Sequence, residues 1–329
     1  MSDKINRRVE FLDVAKFIGL VLVCFCHIPY PEGNFHIWVY SFHMPLFLFI
    51  SGVFFSPEKF AVVKSAVQLL VPFVLFNLIA LLISFFIGSI FSGTFKLSIL
   101  HWDAVLHGSY PVGPSWFLLS LCIIRFFTGL LLKWFDNFVL IGLSLFVMLW
   151  FLFTQDAKNW SVLSIGSSVL GLPFYLAGFY MKNAVVDIRH FNKWYMWVAA
   201  IVLSILALYN GQVGIHVADY GRNILLFFVF GIVGTLAVIS LSTWIRLPRR
   251  LVAVFMDGAL FFICMHTLIF EYLILCWNRI SGDFSGNTLT EKIVFTILTF
   301  AVSYPIIVFL LRHASFMLGK AKVCKKVLK

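Results

Sequence analysis

The chain has 329 residues, of which 61% are hydrophobic and 12% charged, with a mean hydropathy of +0.99 and a formal net charge of +11. Soluble domains hold about 45–50% apolar and about 25% charged residues, so this composition excludes an ordinary soluble enzyme. The positive charge invites a nucleic-acid reading, but its distribution along the chain fits membrane topology instead.

Apolar runs of about 18 or more residues recur from end to end, the mark of a polytopic helical membrane protein. Membrane β-barrels show short alternating segments, and these runs do not alternate. About ten spans are expected, at approximately 11–29, 38–56, 66–91, 115–133, 138–154, 162–181, 194–210, 222–244, 255–277 and 293–316. Their connections are short and hold no repeat or soluble insert. Residues 1–329 therefore read as a single all-α membrane domain with a basic tail over about 317–329.

Of the 25 Lys and Arg, 18 fall in the N-terminus, the tail and every second connection, and 5 fall in the others. Basic residues mark cytoplasmic connections, so both termini are expected in the cytoplasm, with an even number of spans. The first run already contains Asp13 and Lys16 and lacks a small-residue cleavage site, so it reads as a retained span. Five cysteines lie in apolar runs and Cys324 in the tail, without metal or disulfide spacing.

The first span, LDVAKFIGLVLVCFCH (12–27), carries groups that lipid penalises. A Lys or Asp at the centre of a span costs about 2.5–3.5 kcal/mol on insertion scales, so such groups usually face a bundle interior or a cavity. Asp13 and Lys16 are three residues apart and can pair. Lys16 and His27 are eleven apart, which brings them onto one helix face about 16 Å apart along the axis. Snorkelling of the pair to the inner interface is the alternative reading.

The second span holds SFHMPLFLFISG (41–52), where Pro45 can kink the helix and Gly52 allows close helix approach. Its His36 and His43 fall toward the outer side, the half expected for His27. The outer connection 92–116 contains His101, His107 and Trp116, and reads as an interfacial or partly re-entrant loop. The late run DGALFFICMH (257–266) places His266 near mid-membrane. Imidazole titrates near neutral pH and suits a general base. No carboxylate or cysteine stands at a spacing that supports a metal site with these histidines, so none is expected.

RVEFLDVAKFIGLVLVCFCH (8–27) resembles the opening of the acyltransferase 3 family of integral-membrane O-acyltransferases. In that family a basic residue, ten intervening positions and a histidine mark the first span, as Lys16 and His27 do here. SFHMPLFLFISGVFF (41–55) resembles the next signature, especially in the branch of fucose 4-O-acetylases and surface-polysaccharide acetyltransferases. GPSWFLLSLCIIRFF (113–127) and DGALFFICMH (257–266) are similar to later segments.

The resemblance implies an acyltransferase for groups other than aminoacyl groups, in a bacterial inner (plasma) membrane. The donor would be cytoplasmic acyl-CoA, with acetyl as the group moved, and the acceptor a hydroxyl of a surface glycan or its lipid-linked precursor. No bound cofactor and no nucleic-acid partner are implied. His27 is the expected base, with an acyl-imidazole intermediate as the covalent variant. Lys16 would serve donor phosphate or Asp13. His43 and Trp116 would wall the acceptor, with Ser51 and His266 as further substrate-binding candidates. The 16 Å between Lys16 and His27, about the reach of a pantetheine arm, would let CoA stay cytoplasmic. The competing reading is a transporter or glycan flippase, whose buried polar groups would line a substrate path; no pair of broken segments in two sequence halves supports it.

Overall fold

The computed structural model describes residues 10–31, 33–92, 112–135, 137–154, 163–191, 193–280, 282 and 284–320. They are almost entirely helical, and among them an isolated Gly214–Asp219 bridge is the only extended pairing. In chain order the helices are α1 (Glu10–His27), α2 (Asn34–Val53), α3 (Val62–Ser92), α4 (Trp116–Trp134), α5 (Asn137–Thr154), α6 (Ile165–Tyr180) and α7 (Lys182–Phe191). There follow α8 (Trp194–Ile205), α9 (Ala207–Asn210), α10 (Ile224–Ser242), α11 (Arg249–Asp257), α12 (Ala259–Ile280) and α13 (Leu289–His313).

Every expected span falls on helix. Among the described residues six segments are long and apolar enough to cross a bilayer: α2, α3, α4 with its preceding turn, α10, α12 and α13. A seventh forms if α6 and the start of α7, bent by 65° at Met181, are taken together. The first expected span departs from this pattern because α1 carries Glu10, Asp13 and Lys16 within 18 residues. The run at 194–210 yields only short helices, α8 and α9.

The run at 255–277 is broken. Helix α11 stops at Asp257, and α12 begins again after Gly258. Ile307 of α13 packs so closely on Gly258 that a Cβ there would meet its side chain. Helix α2, in contrast, continues through Pro45.

The bundle is held by close backbone approach. A Cβ on Gly52 of α2 would run into the Tyr175 carbonyl of α6, and one on Gly178 of α6 would run into the Phe49 carbonyl of α2. Gly231 and Gly234 of α10 admit Phe174 and Phe42 in the same way. Small residues permit this where lipid and side chains are equally apolar and burial alone gives little drive to associate. On the far side, α3 leaves Val67, Val74, Leu78, Leu82 and Phe86 exposed along its length, an outward stripe suited to lipid.

Two ends of the bundle differ in charge. One end holds the Arg249–Glu10 pair (3.2 Å), the Lys320–Asp257 pair (2.7 Å) and the Lys16–Asp13 pair (3.2 Å). At the other end α13 begins with a capping box from Thr288 and Glu291. There Lys292 is buried, its ammonium 4.8 Å from the Phe25 ring centroid and 5.0 Å from that of Tyr30.

Candidate functional site

Three histidines from three helices meet inside the bundle. The His27 ring centroid lies 5.1 Å from that of His266 and 6.5 Å from that of His43, with both pairs edge-on. The sequence separates these residues by up to 239 positions; the packing of α1 against α2 and α12 brings them together.

Each ring is oriented by its own helix. His27 Nδ1 lies 2.7 Å from the Val23 carbonyl, His43 Nδ1 lies 3.0 Å from that of Val39, and His266 Nδ1 lies 2.9 Å from that of Phe262. A carbonyl only accepts, so Nδ1 carries the proton in each ring, and in the neutral imidazole Nε2 holds the lone pair. His266 is fully buried, and its Nε2 has no hydrogen-bond partner. Among the described residues no group of three His, Cys, Asp or Glu side chains is arranged to hold a metal ion.

His27 and His43 line a chamber of about 530 Å³. Its walls include Tyr40 and Phe47 of α2, Trp116 at the start of α4, and Thr267 and Glu271 of α12. His266 lies directly behind His27 rather than in this wall. Two short segments outside the α-helices complete the enclosure: the Gly113–Ser115 turn and the loop around Gly214–His216.

Both segments are pinned by asparagines. Buried Asn77 of α3 donates to the Phe73 carbonyl (2.8 Å) and to Ser115 Oγ (3.0 Å), and accepts from the Val112 N–H (3.1 Å). Buried Asn210 donates to the Tyr220 carbonyl (2.8 Å) and accepts from the Asn223 N–H (2.8 Å). The second loop is tied further by a Ser167 hydroxyl that donates to the His216 carbonyl at 3.2 Å. His216 thus stands at the chamber mouth, its ring 6.3 Å from that of Trp116. Desolvation by these walls holds its imidazole below the usual histidine range, while the Asp219 carboxylate pulls the other way.

Asp13 and Lys16 lie apart from the chamber, at the charged end. Lys16 Nζ is 5.2 Å from the Phe54 ring centroid. Phe54 belongs to a pocket of about 280 Å³ that also collects Ser51, Lys59, Lys64, Gln68 and Arg125. Ser51 therefore sits with this basic pocket and not with the histidines. Asp13 also lines a neighbouring cleft of about 730 Å³, together with Glu10, Arg246 and Arg249.

Sequence reasoning had not singled out Tyr40, His216, Thr267, Glu271 or the two asparagines. Arg125, a charge inside an expected span, was the visible sign of the basic pocket. His101 and His107 lie outside the described residues.

The architecture defines an integral-membrane helical protein with a histidine-walled chamber toward one end and cation-lined surface at the other. A family model described as an acyltransferase domain, Acyl_transf_3, matches residues 9–308. The chain belongs to the acyltransferase 3 family and is a membrane acyltransferase. No curated protein and no solved structure matches it.

Proposed function

We propose that the protein moves an acyl group, acetyl in the first instance, from acyl-CoA to a hydroxyl of a surface glycan or its lipid-linked precursor, with His27 as general base. The reading extends to the branch related to fucose 4-O-acetylases and to a bacterial inner membrane with about ten spans and both termini cytoplasmic. The observation that carries it is the orientation of His27. Its Nδ1–H is taken up by the Val23 carbonyl, so the Nε2 lone pair is the basic atom of a ring in the chamber wall.

In this mechanism Nε2 takes the proton of the acceptor hydroxyl as its oxygen attacks the thioester carbonyl. The tetrahedral oxyanion collapses, the C–S bond breaks, and the imidazolium returns the proton to the departing CoA thiolate. The Thr267 hydroxyl, in the same wall, is a candidate donor to the oxyanion. Lys59, Lys64 and Arg125, bordered by Lys16, give the charged end a cationic pocket with no carboxylate among its described lining residues. Its chemistry suits the phosphates of CoA.

The test is His27→Ala in purified, monodisperse protein with acetyl-CoA. Loss of a positioned base costs about 10²–10⁴-fold in rate, while the unfolding midpoint in detergent should stay close to that of the wild type. Transfer at the wild-type rate would sink the proposal.

A further inference from the structure

The chamber wall has an uneven charge that bears on which acceptors can enter. Among the described lining residues Glu271 supplies the only carboxylate, and none is a Lys or Arg. On α12, Thr267 and Glu271 are four residues apart and share a helix face. Glu271 stands five residues beyond His266, about 7.5 Å along the axis, away from the charged end. It is exposed, like His216, whereas His43 and Trp116 are buried at 4% and 8% exposure.

Resting on the acyl-transfer reading above, we propose that Glu271 selects the acceptor by charge. The site takes an uncharged sugar, or one bearing an amine, and rejects sugars that carry a carboxylate or phosphate. Glu271 accepts hydrogen bonds from acceptor hydroxyls, and ionised acceptors make these bonds short and strong. The faces of Tyr40 and Trp116 supply apolar surface for the C–H face of the ring. A second anion brought against this carboxylate meets like-charge repulsion.

The experiment compares acetyl transfer to methyl glucoside and to methyl glucuronide by the same preparation of purified protein. The ratio is insensitive to the fraction of protein that is folded. The wild type should favour the glucoside by about tenfold or more, in line with a like-charge penalty of that order. Glu271→Gln should narrow the ratio by about tenfold, Glu271→Asp should keep it, and Glu271→Lys should invert it. An unchanged ratio in Glu271→Gln overturns the assignment. So does a wild type that uses both sugars equally, or that hydrolyses acetyl-CoA and acylates neither. An active His27→Ala would instead strike His27 as the general base and leave the measured ratio standing.

Discussion

Two asparagines matter to the site as much as its histidines do, although neither lines the chamber. Asn77 satisfies the Val112 N–H and the Ser115 hydroxyl from a helix 35 or more positions away in sequence. It thereby fixes the turn from which Trp116 projects into the chamber. Replacing Asn77 with Leu removes both partners at once and keeps a similar volume. A buried polar group left unsatisfied costs about 1–3 kcal/mol, so the unfolding midpoint in detergent should fall clearly. Asn77→Asp, which still accepts from Val112, should lose less. If Asn77→Leu melts with the wild type, the turn is held by packing alone.

At the scale of elements, the α2–α6 crossing is the tightest feature of the bundle. Gly52 and Gly178 each press on a carbonyl of the opposite helix, a backbone atom that cannot move aside as a flexible side chain can. Gly52→Ala and Gly178→Ala should therefore force the helices apart and lower both stability and acyl transfer. Gly142→Ala is the internal control: a Cβ at that position on α5 meets nothing within 4 Å, and alanine is about 1 kcal/mol better than glycine within a helix. Unfolding of the three variants in a mild detergent series should rank the two crossing variants well below Gly142→Ala. Equal midpoints would show that the crossing tolerates the added methyl groups.

The Lys16–His27 stripe was legible in the sequence because both residues lie on one helix, where the 3.6-residue period sets their facing. Gly52 could be read as a close-approach residue for the same local reason. The Gly258 break was not legible, because it is the side chain of Ile307, some fifty positions later, that crowds the backbone there. His216 and Glu271 were missed for a related reason. A loop histidine and a carboxylate late in an apolar run carry no periodic signal, and only the packing of the α9–α10 loop on α6 and of α12 on α1 brings them to the chamber that His27 lines.

For the whole molecule, the charge pattern and the two cavities point the same way. The Lys and Arg excess that marks alternate connections runs 18 against 5, and the bundle's ion pairs among α1, α11 and the chain beyond α13 lie at the end to which Lys16 belongs. The cationic pocket of Lys59, Lys64 and Arg125 adjoins that end, while the chamber mouth of His216 and Glu271 lies further along the helices. Donor and acceptor would then approach from opposite sides, with the thioester crossing part of the bilayer inside the bundle. This makes sidedness measurable. Acetyl-CoA is charged and does not cross a sealed bilayer unaided. Added to sealed everted vesicles it should support acyl transfer at once. Added to sealed right-side-out vesicles it should support none until detergent opens them. Transfer confined to right-side-out vesicles before detergent would place the donor pocket on the wrong side and remove the need for a path between Lys16 and His27. A signal confined to everted vesicles would make that path, about 16 Å along α1, the route along which the acyl group must travel.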